Sequence, residues 1–206
     1  MRVLFVGAHT DDEISSAGTL AKFMERGYEV FIAVFSFCEK SSEALGYPRD
    51  ILEKEFACSM SILGLDSEHV LALHYPVRDF PQYRQAILED LVRWKKDIKP
   101  SLVLIPHSAD THQDHQVIAE EGKRAFAGST ILGYESPKRL ILSTHVGFVR
   151  LTPDHWLVKE KCLECYVSQS SRFGADIKTR GLLAKFRGLQ AGCGIAEAFE
   201  VIRLYL

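Results

Sequence analysis

The sequence predicts an α/β protein folded as one three-layer unit around a mostly parallel sheet. Three observations carry that expectation. Short apolar runs alternate with longer amphipathic segments, the pattern of strands connected by crossover helices. The chain has 206 residues of which 47% are hydrophobic, enough to bury one sizeable core over residues 1–206. Two of the apolar runs end in clusters of His and Asp, as expected where a parallel sheet presents the carboxyl ends of its strands to a ligand.

The elements follow in order. Arg2 to Gly7 is a strand, and Glu13 to Arg26 a helix with Ile14, Ala17, Leu20, Ala21 and Met24 on one stripe and Gly27 as its stop. Glu29 to Phe35 is rich in β-branched and aromatic residues and reads as the second strand. Ser36 to Pro48 is polar and reads as a loop, either a connector or a lid over the acid cluster. A helix from Asp50 to Leu63 closes at Gly64, a short strand covers His69 to Leu73, and a helix from Gln82 to Ile98 ends before Pro100. Ser101 to Pro106 is the fourth strand, Val117 to Phe126 the next helix, and Thr130 to Glu135 the fifth strand. Beyond it come a strand at Thr144 to Leu151, helices at Asp154 to Tyr166 and Arg172 to Gln190, and a last strand at Ala198 to Leu204. If three strands wind one way and the chain then crosses back, strands one and four become neighbours.

A formal net charge of −2 and a pI near 6.4 offer no general attraction to nucleic acid or to an anionic membrane surface. No apolar run reaches the roughly 20 residues of a membrane helix, and Met1 to Ala8 runs straight into His9, as a strand does and an export signal does not. A soluble, cytoplasmic protein is expected. The five cysteines, Cys38, Cys58, Cys162, Cys165 and Cys193, are an odd number in a chain of ordinary size and are expected as reduced thiols, with Cys162 and Cys165 packed in the core. Nothing in the pattern decides self-association, so a homo-oligomer stays open.

The chemistry concentrates in two stretches. His9-Thr10-Asp11-Asp12-Glu13 follows the first strand, and crowded carboxylates repel one another unless a cation neutralises them. Taken alone, Asp11 or Asp12 could equally cap the following helix. The second stretch, His107 to His115, follows the fourth strand and adds Asp110, His112 and Asp114. His9, Asp12 and His115 would give mixed nitrogen and oxygen donors with a position left open, a composition suited to catalytic zinc and acceptable to iron, cobalt or manganese. Asp11 would then be free to face whatever the metal holds. A nucleotide site is disfavoured, because Gly7-Ala8-His9 lacks the glycine-rich turn and acids there repel a pyrophosphate.

Ala8-His9-Thr10-Asp11-Asp12-Glu13 and His112-Gln113-Asp114-His115 resemble the two motifs of the PIG-L/LmbE family of zinc-dependent N-acetylglucosamine deacetylases, with Thr10 where that family usually has Pro. Leu63-Gly64, Tyr134-Glu135, Tyr166-Val167-Ser168-Gln169 and Ala196-Glu197-Ala198-Phe199 are similar to further family signatures. The resemblance implies a Rossmann-like fold and Zn2+ held by His9, Asp12 and His115. It also implies Asp11 as the general base, and His112, held by Asp114, as the electrophile or acid at the reacting amide. The implied substrate is a small amino sugar, N-acetylglucosamine or its conjugate. Arg49, Asp110 and Tyr134 are candidate substrate contacts, with Arg78 beside them. Two positions depart from the pattern: Leu52 stands where the family often has a substrate-binding Arg, and Arg150 where it often has an acid.

Two other readings compete with deacetylation. Metal-dependent phosphoester hydrolysis would use the same acids but wants more carboxylates for a second ion. A non-catalytic metal or small-molecule binding protein would keep the site without turnover. Ser168 and Ser170 have no evident base, so a serine hydrolase is disfavoured. His145 and His155 have no matching metal partner and are expected to be structural or solvated. Glu13 reads as a first-turn acid rather than a ligand.

Overall fold

The computed structural model describes residues 1–139, 147–170 and 176–205. Seven strands form one sheet in the order β3-β2-β1-β4-β5-β7-β6. These are β1 (Arg2–His9), β2 (Glu29–Ser36), β3 (Val70–Ala72), β4 (Leu102–Pro106), β5 (Thr130–Tyr134), β6 (Gly147–Leu151) and β7 (Ile195–Arg203). Strands β1 to β5 run parallel, whereas β7 is antiparallel to both β5 and β6. β1 pairs directly with β4, Val3 against Leu102 through Phe5 against Leu104, so both strands deliver their C-terminal ends to the same edge. The chain crosses back between β3 and β4, and β1 and β4 are neighbours as expected.

Alternation along the strands builds the two halves of the core. Val3 and Phe5 of β1, Ile32 and Val34 of β2 and Leu104 of β4 face one layer, while Leu4, Val6, Ala33, Phe35, Val103 and Ile105 face the other. The first layer is closed by α1 (Ala17–Glu25), α3 (Ile51–Leu63) and α6 (Pro153–Glu164), through Leu20, Phe56, Met60 and Cys162. The second is closed by α4 (Arg84–Ile98) and α5 (Gln113–Ala125), through Ile87, Leu91, Trp94 and Ile118. A short α2 (Glu39–Ala44) interrupts the expected Ser36 to Pro48 loop, and α7 (Ile177–Gln190) packs on β7. Residues 144–146 of the expected sixth strand, 172–175 of the expected last helix, and His145 lie outside the described residues.

Two boundaries shift for local reasons. Asp12–Ser15 is a 3-10 turn rather than the first turn of α1, and α5 starts at Gln113 rather than Val117. In the second case the Nδ1 of the His112 ring accepts the Asp114 N–H at 3.1 Å and caps the helix.

The thiol expectation is corrected for one pair. α3 and α6 pack side by side, which brings Cys58 and Cys165 to a Cα separation of 5.8 Å, and the two form a disulfide, while Cys38, Cys162 and Cys193 are free. The bridge spans a sequence separation of 107, so opening it restores much chain entropy to the unfolded state. Reduction, or Cys58→Ser with Cys165→Ser, is expected to cost about 2–4 kcal/mol. A thermal melt with and without reductant reads this as a lowered Tm; an unchanged Tm rejects it. No helix among the described residues is long and apolar enough to cross a membrane.

Candidate active site

Where β1 ends, the chain turns back on itself. At Gly7 an added Cβ would stand 3.0 Å from the His9 carbonyl oxygen and 3.1 Å from Asp12 Cβ, so a side chain there would press on the turn. Asp11 sits at φ 79°, a left-handed conformation that Asp tolerates better than most residues. Its N–H donates to the Tyr166 hydroxyl at 3.2 Å, and that hydroxyl donates to Glu13 Oε1 at 2.7 Å. Thr10 donates its N–H to the Ser36 carbonyl at 3.2 Å, a hydrogen bond that a proline there would lose.

The turn sets His9, Asp12 and His115 face to face. The His9 N–H donates to Asp12 Oδ2 at 2.9 Å, His115 Nε2 stands 3.3 Å from both Asp12 Oδ1 and His9 Nδ1, and the three donor atoms lie within 4.8 Å of one another. Behind the imidazoles stand two more carboxylates. Asp110 Oδ2 is 2.8 Å from His115 Nδ1, and Asp114 Oδ2 is 2.9 Å from His9 Nε2. Each outer acid is placed to hold a proton on the far nitrogen of its histidine, so that His9 Nδ1 and, once an ion displaces its proton, His115 Nε2 converge with Asp12 as donors. Two imidazole nitrogens and a carboxylate at one buried point fit a divalent cation.

The electrostatics agree. Burial by itself would raise the Asp12 carboxyl, but His115 and His9 outweigh it and hold Asp12 well below the usual carboxylate range. Burial opposes charge on His115, yet Asp12 and Asp110 overcome it and lift the ring to about 10. His112 moves the other way: burial, then the neighbouring His9 and His115, keep it neutral. With Nδ1 accepting the Asp114 N–H, the His112 proton sits on Nε2.

Several expected contacts are redistributed. The carboxylate of Asp114 does not hold His112, as the resemblance implied; it accepts from His9 and from the Arg78 N–H at 2.6 Å, because the His112 nitrogen it would have met is taken by its own backbone. Asp110 is 1% exposed, and its second oxygen accepts the His112 N–H at 2.8 Å, so both oxygens serve the protein rather than a sugar hydroxyl. Tyr134 is buried, stacked on Phe5 with its hydroxyl donating to the Val6 carbonyl at 3.3 Å, and Arg49 is exposed; neither lines the cleft. Arg78 does line it, as does Leu52. His155 caps α6 and meets Glu25 Oε2 at 2.8 Å, a structural role as expected.

The cleft holds roughly 280 Å³ and is also lined by Cys38 and Ser41 beside α2, by Ser136 to Arg139 after β5, and by Gln169 and Arg180. Arg139, Gln169 and Arg180 had no functional reading from sequence. Only basic character marked Arg180, and that is shared by most surface arginines.

Glu13 turns inward rather than toward solvent. Ser59 donates to Oε1 at 2.7 Å, Oε2 has no hydrogen-bond partner, and burial raises the carboxyl from 4.5 to about 7. An acid whose pKa is higher folded than unfolded weakens the fold as pH rises through that window, since ionisation is easier in the unfolded chain. Glu13→Gln keeps the shape and stays neutral. Its stability relative to the parent, measured by denaturant titration after chelation, is expected to improve between pH 4.5 and about 7; a pH-independent difference rejects this.

Residues 4–126 match the PIG-L family, described as GlcNAc-PI de-N-acetylase. This chain belongs to that family. Among solved structures, this PIG-L chain is similar to N,N'-diacetylchitobiose deacetylase from Pyrococcus horikoshii, at 20% identity and a TM-score of 0.79 over 98% of this chain and 83% of that one. It is also similar to the conserved protein TT1542 from Thermus thermophilus, at 25% identity and a TM-score of 0.79 over 99% and 96%. A third likeness is to GalB, the 4-carboxy-2-hydroxymuconate hydratase from Pseudomonas putida KT2440, at 18% identity and a TM-score of 0.82 over 100% and 97%. A hydratase and a deacetylase therefore share this PIG-L architecture, and the reaction has to be argued from the site.

Proposed function

We propose that this protein is a metal-dependent N-deacetylase that removes acetyl from an N-acetylglucosamine-type sugar or conjugate. The observation that carries the reading is the pair of imidazole nitrogens converging with Asp12, each ring held by a carboxylate behind it. His9, Asp12 and His115 would hold the ion, Zn2+ on the chemistry of the donor set. Such an ion, once bound, acidifies water and polarises a carbonyl.

The remaining work falls to the chain's own groups. Asp11 lines the cleft next to the donors and takes the proton from the attacking water. The amide oxygen gains charge as the tetrahedral intermediate forms. His112, neutral with its proton on Nε2, donates a hydrogen bond to it, the role of an electrophile rather than of a cationic acid. The proton held by Asp11 is then available to the departing amine. Family membership and the deacetylase among the similar structures support this reading. Phosphoester hydrolysis by two ions is less favoured. Among the described residues the second His/Asp group, His9, His112 and Asp114, shares His9 with the first, and its Asp114 is already held by His9 and a backbone N–H.

The test is release of acetate and free amine from N-acetylglucosamine conjugates, with and without chelator, beside phosphate release from sugar phosphates. Chelator-sensitive acetate release supports the proposal. Phosphate release, or metal binding with neither product, rejects it.

A further inference from the structure

Arg180 brings a positive charge into the site. It lies on α7, half-buried, in the wall of the cleft that holds Asp11 and Asp12. Its side chain makes no hydrogen bond or ion pair to another described residue, and its Nε is buried without a partner. Arginines out of water are normally matched to a carboxylate, because an unmatched buried charge is costly. Of the acids whose charge reaches it, Asp11 lines the same cleft and the other three are committed elsewhere. Glu197 accepts from Lys159 and from the N–H groups of Gly18 and Thr19, Glu135 holds Arg187, and Asp12 faces two imidazoles.

Arg78, Lys138 and Arg139 line the same cleft, and none of their side chains pairs with a carboxylate among the described residues. Some basic groups elsewhere are paired, as in Arg84 and Arg124 on Glu121 or Lys40 on Asp79. Four cationic side chains thus share one opening in a chain whose net charge is −2. Two of them are anchored at the backbone. Arg78 has its N–H on Asp114 and its carbonyl on the Gln113 amide, while the Arg139 carbonyl accepts from the Thr111 N–H at 3.2 Å and hydroxyl at 3.0 Å.

Building on the deacetylase reading, we propose that Arg180, assisted by Arg78, Lys138 and Arg139, forms an oxyanion subsite, so that the preferred amino sugar carries a carboxylate or phosphate beside the acetamide. A guanidinium whose Nε–H is buried and unpartnered suits a hydrogen bond to such a group, and partial burial strengthens it. Arg49, outside the cleft, takes no part.

The metal-loaded protein is assayed with N-acetylglucosamine 1-phosphate, N-acetylglucosaminyl glycolate, and the neutral methyl glycoside of N-acetylglucosamine. The acids are expected to show a KM lower by about tenfold or more, a preference that shrinks as salt is added, while the neutral compound is indifferent to salt. Arg180→Gln is expected to raise KM for the acids about tenfold with kcat kept within about twofold and the neutral glycoside unaffected, and Arg180→Lys to restore part of the loss. The comparison between the two acids tells phosphate from carboxylate. Binding to the Asp11→Asn protein, followed by calorimetry, separates this proposal from the one it rests on. Acids that bind through Arg180 without being deacetylated keep the subsite and sink the deacetylase. Acetyl removal regardless of charge does the reverse. Equal kcat losses on acid and neutral substrates, no acid binding, or acid binding unchanged in Arg180→Gln overturns the subsite. If Arg180→Gln does not fold, the salt response of the unaltered protein decides, and no difference between acid and neutral compounds overturns it.

Discussion

Asp11→Asn cuts deacetylation about a thousandfold and leaves the metal in place, the magnitude expected when a positioned base is removed. Asn is the substitution of choice for a backbone reason as well as a chemical one. Residue 11 sits at φ 79°, where Asn and Asp are tolerated and most other side chains add strain, so a lost rate reports the carboxylate rather than a collapsed turn. The hydrogen bond from residue 11's N–H to Tyr166 also survives the change. Acetate release gives the rate, and mass spectrometry of the purified variant gives metal content. A near-normal rate removes Asp11 from the base role; lost metal would mean that Asp11 is a ligand.

His115→Ala lowers affinity for the divalent ion by more than about a hundredfold, and Asp110→Asn, one step further out, by about 10–100-fold. The gradation follows from the geometry, since Asp110 touches the ring only at Nδ1 and works by holding the proton away from Nε2. Metal affinity also depends on pH. The His115 ring is lifted to about 10, so at neutral pH the ion must displace a proton from it, and affinity rises about tenfold per pH unit up to that value. Competition with a chelator of known affinity across pH measures both effects. Equal affinity in Asp110→Asn and the parent, or a flat pH profile, refutes them.

The sheet and the first ring of candidate ligands were legible because both are written locally. Val3 to Val6 and Leu102 to Pro106 are apolar runs that end in His and Asp, and parallel strands place such endings on one edge. What escaped is what depends on register between distant elements. Whether Asp114 meets His112 or His9 is decided by how α5 lies on β1, and the start of α5 was misplaced because an imidazole rather than a Ser, Thr, Asn or Asp caps it. Tyr134 looked available at a strand end, but strand alternation turns it into the core against Phe5. Arg180 reaches the cleft only because the chain, after β6, returns a helix over β7.

Tyr166 gives the C-terminal third an unexpected hold on the reaction. Its hydroxyl spans the Asp11 amide and Glu13, it follows the disulfide-bonded Cys165, and it lies beyond the matched residues 4–126. Replacing Tyr166 with Phe is therefore expected to loosen the Asp11 turn while leaving His9, Asp12 and His115 in place.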